Sequence, residues 1–360
     1  MTESRASPGS LADAKPPMRA ALVTTLRGAA PVLESFIRYH LALGFVHLYL
    51  FFDDPGDPGI GVARRYDPAA VTIIGRGLEL DAQWAECVQF GYFAPHLESE
   101  VMSRQCLNVE VAVQWALAAG VDWLLHIDAD ELFHCPGQDA GVHFARLAAQ
   151  GIDRAIYPNL EALNEAEEIG DFFREVTLFR NNRNTLRGGC FDAAQSALAA
   201  PFVQFPPTFF LFYSNGKSAA RLRPGLVPDG VHRFRAGSYP PAGQVVPAAA
   251  GAHPERVIGD CRILHYACCG YANFSDKYRI LGSFTDLWFG RVDIRQSIGE
   301  FHLRARDVVA TGDEGLARAF YRGYAMLDDQ DAIGELIASG LLLRIDGPAA
   351  WLKDRTHALP

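Results

Sequence analysis

The stretch Trp123-Leu-Leu-His-Ile-Asp-Ala-Asp-Glu131 constrains this chain most, because an apolar run stops there abruptly on three carboxylates. Trp123, Leu124, Leu125 and Ile127 suit a strand covered on both faces, and acids at its carboxyl end fall where open α/β sheets bind ligands. If the backbone stays extended, Asp128 and Asp130 point the same way and offer hard oxygen ligands to Mg2+ or Mn2+. A second Asp-x-Asp, Asp329-Gln-Asp331, lies in an acidic, helix-compatible run and reads as solvated surface.

What precedes Trp123 makes an α/β half-domain. Arg19–Thr25 reads as a strand and Pro31 to Gly44 as a helix. Val46–Phe52 is a strand ending on Asp53 and Asp54, Gly61–Tyr66 a short helix and Val71–Ile74 a third strand. Alternation of this kind favours a mostly parallel sheet with right-handed crossovers. No G-x-G-x-x-G follows the first strand, which argues against a dinucleotide cofactor. Glu98 to Gly120 has helical spacing, and its Arg104, Gln105 and Asn108 stand where they can face a ligand at the sheet edge.

Beyond Glu131 the reading is a helix over 139–150, a strand over Arg154–Tyr157, and an acidic loop or helix from Asn159 to Glu168 that is mainly surface. Phe172 to Phe179 reads as core, and residues 183–210 as a loop over the site. A strand then carries Lys217, Arg221 and Arg223, and Cys261–Tyr266 is a strand ending at His265. Mixed helices follow from Tyr278. The domains expected are a tail (1–17), a main domain (18–285, with halves 18–135 and 136–285) and a helical C-terminal extension (286–360).

Composition narrows the function. A net charge of −9 without a basic block argues against a nucleic-acid partner. The longest apolar stretch, Leu41 to Phe52, is too short to span a membrane, and residues 1–17 lack the apolar core of a signal peptide. Seven cysteines with no C-x-x-C pair point to a reducing, cytoplasmic setting without a disulfide framework. His265, Cys268 and Cys269 make a poor zinc corner, since adjacent cysteines chelate badly.

Taken in order, several segments resemble the family-2-like glycosyltransferases of GT-A fold, including the branch related to family 92. They are Thr24-Thr25, Phe36–His40 with Leu43-Gly44, Asp53, Arg104-Gln-x-x-Asn108, Asp122–Phe133, Gly216-Lys217, His232, and His265-Tyr266 with Phe274-x-x-Lys277. The resemblance covers about residues 19–280. It implies a Rossmann-like sheet flanked by helices and transfer of a sugar from a nucleotide-activated donor, a UDP-sugar above all, to a glycan or other hydroxyl acceptor with inversion. It also implies a donor side formed by Thr24, Thr25, Arg27, Asp53, Arg104, Gln105, Asn108, Asp128 and Lys217, with Mn2+ or Mg2+ held by Asp128, Asp130 and His265. Departures from the pattern are Leu26-Arg27-Gly28 after the first strand and Asp54 after Asp53.

Such chemistry needs positive charge on the leaving diphosphate, from a metal and Lys217 or Arg221, and a carboxylate base for the acceptor hydroxyl. Glu131, Glu161 and Asp229 are candidates for the base, with Glu161 favoured because it follows the strand ending at Tyr157. The competing readings are a catalytically silent glycan- or partner-binding protein and a metal-dependent phosphohydrolase or nucleotidyltransferase.

Overall fold

The computed structural model describes residues 17–182, 211–237, 255–282, 284–295 and 300–354. Its strands are β1 (Ala20–Leu26), β2 (His47–Phe52), β3 (Val71–Gly75), β4 (Trp123–His126), β5 (Glu131–His134), β6 (Arg154–Tyr157), β7 (Asn159–Ala162), β8 (Leu178–Arg180), β9 (Lys217–Arg221), β10 (Leu226–Asp229), β11 (Arg233–Ala236), β12 (Glu255–Val257), β13 (Arg262–His265), β14 (Leu287–Trp288), β15 (Val292–Asp293) and β16 (Leu342–Arg344).

Seven strands form the main sheet in the order β12-β6-β9-β4-β1-β2-β3. β1 to β4 run parallel, and β9 is inserted antiparallel between β4 and β6. The α/β architecture expected from the alternation is what the chain adopts. Side chains alternate across β1: Leu22 and Leu26 pack with Val32, Leu33 and Phe36 of the first helix (Ala30–Ala42), while Ala21 and Val23 pack with Val109 and Val113 of the helix Val101–Ala118. Burial on both faces explains why β1 and β4 read as unbroken apolar runs. Trp123 stacks on Phe144 at 4.9 Å on the first face, and Phe51 on Trp115 at 5.9 Å on the second.

A second sheet, β16-β8-β7-β13-β5, was not anticipated. The chain crosses into it from the main sheet three times, from β4 to β5 through residues 127–130, from β6 to β7 through Pro158 and from β12 to β13 through residues 258–261. Asn159–Ala162 is therefore a fully buried strand and not the acidic surface loop or helix expected there. Its alternation was hidden by Glu161, a carboxylate that the fold buries with an arginine. The segment after residue 286 adds helices against Tyr271–Leu281 and returns β16 to pair with β8. Asp329 of the second Asp-x-Asp caps the helix Gln330–Ala338, accepting the N–H groups of Asp331 and Ala332. Among the described residues no helix is long and apolar enough to cross a membrane.

Candidate active site

The first two of these crossings and the start of β9 converge at the carboxyl edge of β4. Lys217 opens β9, and Gly216 before it has φ +72°, where a Cβ would stand 2.2 Å from the Tyr157 carbonyl oxygen. Only glycine fits that approach, so the Gly-Lys pair is fixed by backbone contact. Lys217 is fully buried, and its Nζ donates to Asp128 Oδ2 at 2.6 Å and lies 3.7 Å from Glu131 Oε2.

The backbone does not stay extended from Asp128 to Asp130, as the shared orientation of the two acids required. It turns: the Glu131 N–H donates to the Asp128 carbonyl at 3.1 Å, and the Asp128 N–H donates to Glu131 Oε2 at 2.7 Å. This reciprocal closure sends the two aspartates to different partners. Asp128 takes Lys217 and, on Oδ1, the Gln105 amide at 2.9 Å. Asp130 takes Lys277 at 2.9 Å, and its Oδ1 lies 3.9 Å from His265 Nε2. Asp128 and Asp130 are 29% and 24% exposed, so solvent or a ligand reaches both.

Electrostatics follow from these pairings. Burial works against the ionised form of both aspartates, but Lys217 beside Asp128 and Lys277 beside Asp130 outweigh it and hold each below the usual carboxylate range. Burial would also lower the lysines, yet the same carboxylates keep both above their ordinary value. Glu131 is pushed well up by burial, which the more distant Lys217 does not offset, and its Oε1 has no partner. Burial lowers His265 to about 4, leaving a neutral imidazole whose Nδ1 is unpartnered.

Phe212 and Tyr213 line the floor, a contribution with no motif to announce it. Their rings flank His265 at 5.6 and 4.9 Å, and lie 5.1 Å from Lys277 Nζ and 5.3 Å from Lys217 Nζ. Glu161 holds this segment in place. It accepts the N–H groups of Leu211 (2.9 Å) and Phe212 (3.2 Å) and the Arg180 guanidinium at 3.2 Å, and it is buried. Burial raises Glu161, with Arg180 and the two N–H groups pulling the other way.

The other sequence candidates are distributed as follows. Arg104 grips Asp53 through Nε at 2.5 Å and Nη2 at 2.8 Å, and donates to the Leu97 carbonyl. Asn108 donates to the Thr25 hydroxyl and accepts from the Trp84 indole N–H, both at 2.9 Å. Thr24 faces the opposite side of β1 from Thr25, fully buried, and Arg27 is exposed on the turn after β1. Arg221 does not join the cluster. It pairs in register with Trp123, at the far end of β4, and its ion-pair partner is Asp153. Asp229 closes β10 opposite Arg233. The expected loop over 183–210 lies outside the described residues.

A divalent cation fits part of this arrangement. With bonds of roughly 2.1 Å, two ligand atoms on one octahedral ion lie about 3.0 Å apart when adjacent and about 4.2 Å when opposed. The 3.9 Å between Asp130 Oδ1 and His265 Nε2 is within that range, and the neutral imidazole has a lone pair to give. Asp128 is not gathered with them: among the described residues the His, Cys, Asp or Glu group whose ligand atoms lie within 4.8 Å of one another is Cys135, His143 and Cys261.

No family model matches the chain. Two Arabidopsis thaliana proteins, both named glycosyltransferase-like, are similar along nearly its whole length. At2g41451 is 27% identical over 96% of this chain and 75% of its own length, and At3g57200 is 26% identical over 96% and 65%. This chain thus spans less than two thirds of the second. Among solved structures, glucosyl-3-phosphoglycerate synthase from Mycobacterium tuberculosis, with Mn2+, UDP and glucosyl-3-phosphoglycerate, overlaps at TM-score 0.25 and 14% identity, covering 61% of this chain and 63% of that one. That overlap is too slight to carry an argument.

Proposed function

We propose that the chain is a GT-A glycosyltransferase that moves a sugar from a UDP-linked donor to a glycan or other hydroxyl acceptor, with inversion and with Mn2+ or Mg2+. The observation that carries this reading is the cluster at the carboxyl edge of β4. There two ionised aspartates, each paired with its own lysine, stand beside a neutral histidine. The names of the two plant relatives support the activity, and the order of motifs favours the branch related to family 92.

In this reading Asp130 and His265, with Asp128 beside them, would hold the cation. The ion supplies Lewis-acid stabilisation of the charge that develops on the leaving diphosphate. Lys217 and Lys277 exchange their aspartates for phosphate oxygens, forming charge-assisted hydrogen bonds. The Arg104–Asp53 pair fixes the wall after β2, and Gln105 orients Asp128. Phe212 and Tyr213 keep water from beneath the reacting centre. Glu161 and Glu131, both considered as the base, are assigned positioning roles: Glu161 holds the aromatic segment, and Glu131 closes the Asp128 turn.

Product analysis tests the proposal. Purified protein with a panel of nucleoside-diphosphate sugars, Mn2+ and simple sugar acceptors is expected to release the nucleoside diphosphate, and Asp130→Ala to abolish release. Free phosphate or pyrophosphate instead would support the phosphohydrolase or nucleotidyltransferase reading. Absence of turnover, with donor binding indifferent to Asp130→Ala, would support a binding protein.

A further inference from the structure

We propose that Cys135 and Cys261 are a redox pair, closing to a disulfide that clamps β5 to β13 at the end of the ladder remote from the candidate active site. The two strands pair antiparallel with Arg262 opposite His134 and His265 opposite Glu131. One step beyond Arg262 and His134, the same register sets Cys261 opposite Cys135. At the other end the ladder carries Glu131 and His265, and the Tyr266 N–H donates to the Asp130 carbonyl. The cross-link therefore spans the two strands that deliver Glu131 and His265 to the site, and its formation does not depend on which donor the site takes.

The sulfur atoms lie 2.7 Å apart, and both residues are buried. His143 Nδ1 is 3.5 Å from Cys261 Sγ and 3.3 Å from Arg146 Nη2, and its Nε2 is 2.8 Å from the Tyr157 hydroxyl, so the imidazole can take a thiol proton at Nδ1 once Arg146, which also pairs with Asp260, gives way. With its sulfur 2.7 Å from Cys261 Sγ, Cys135 accepts the hydrogen bond from Cys261, which with His143 lowers its thiol against the opposing effect of burial, and it serves as the nucleophile. A metal is the weaker occupant. Thiolates bound to tetrahedral zinc at about 2.3 Å stand about 3.8 Å apart, and a closed structural site needs four ligands where this group offers three.

The oxidant is a hydroperoxide, small enough to reach a buried sulfur. The Cys135 thiolate attacks the peroxide oxygen, the O–O bond breaks, and sulfenic acid forms with loss of hydroxide. Cys261 sulfur then attacks the sulfenic sulfur, passing its proton to His143 and releasing the second hydroxide. The pair loses two electrons and two protons, and hydrogen peroxide becomes two molecules of water. A dithiol reductant reverses the bond by exchange.

The experiment is a non-reducing peptide map of the wild-type chain after dithiothreitol or after hydrogen peroxide, with remaining thiols alkylated under denaturing conditions. After peroxide a linked peptide pair containing Cys135 and Cys261 is expected, lighter by two hydrogens than the separate peptides, and it disappears on re-reduction. The closed loop joins residues 126 apart in sequence, so oxidation should raise the melting temperature by several degrees. Cys135→Ser and Cys261→Ser should each remove that rise. The proposal is overturned if both cysteines carry the alkyl label after peroxide, or if the reduced protein holds one equivalent of zinc that Cys135→Ser releases. The wild-type map decides even where a variant folds poorly.

Discussion

Replacing Lys217 by methionine tests the electrostatic arrangement most sharply, because the substitution keeps the volume of the stem and removes one charge. The ammonium is fully buried and serves Asp128 at 2.6 Å and Glu131 at 3.7 Å. Breaking a buried ion pair by removing one partner costs about 3–5 kcal/mol, since a charge is stranded. Asp128, at 29% exposure, can recover water, which places the cost near the lower end, about 3 kcal/mol. For a chain of this size that is a fall in melting temperature of roughly 4 °C. The pH dependence has a definite sign. Asp128 has a folded pKa below its unfolded one, so its contribution is present above the ordinary carboxylate pKa and is lost as pH falls through the folded value. The difference between wild type and Lys217→Met, read by scanning fluorimetry, should keep its Asp128 part between about pH 5 and 8 and lose it only in stronger acid, while Glu131, raised by burial and deprived of Lys217, adds a cost that grows as pH rises above the ordinary carboxylate range. Adding Glu131→Gln, which keeps an acceptor for the Asp128 N–H, should recover part of the loss. A Lys217→Met melting curve within a degree of wild type at pH 7 would refute the reasoning.

Glu161→Gln separates positioning from base catalysis. If Glu161 anchors Leu211 and Phe212, the variant should lose about 2 kcal/mol in a urea titration and turn over with a raised KM; a thousandfold fall in kcat at unchanged stability would restore the base role. The two Asp-x-Asp pairs should respond oppositely: Asp329→Ala, which removes a helix cap, should cost about 1 kcal/mol and leave donor turnover unchanged. Asp130→Ala strands the part-buried Lys277 ammonium and should abolish turnover with a larger stability loss than Asp329→Ala, and retained turnover would contradict the assignment. Arg104→Lys cannot reproduce the two-pronged grip on Asp53 and should weaken donor binding about tenfold by calorimetry; undiminished affinity would remove that pair from the site.

Local signals carried the first half of the fold. β1, β2 and β4 and the helix Val101–Ala118 are long apolar or periodic segments, and they lie within three residues of where pattern alone sets them. The second sheet was illegible because it is assembled from strands of three or four residues, drawn from positions 131 to 344, and pairing between distant segments leaves no local trace. Glu161 shows the cost of reading charge as surface, since its carboxylate is satisfied by Arg180 and two backbone N–H groups that only the fold brings near. The sequence points to Asp128, Asp130, Lys217 and His265, and the fold sets them in two separate pairs, Asp128 with Lys217 and Asp130 beside His265. Their pairing was not foreseeable, because it depends on the turn that Glu131 closes. Phe212 and Tyr213 carried no motif, and Cys135 and Cys261 escaped a search by spacing because strand register, not sequence, makes them neighbours.

The claim on which the account stands is that this acid–lysine cluster receives a nucleoside diphosphate together with a divalent cation. Isothermal titration of the wild-type chain with UDP, with and without Mn2+, addresses it directly. Binding that strengthens at least tenfold with Mn2+, about 1.4 kcal/mol, and loses that gain in Asp130→Ala is the predicted result. Failure of UDP and other common nucleoside diphosphates to bind, with or without the metal, would contradict it.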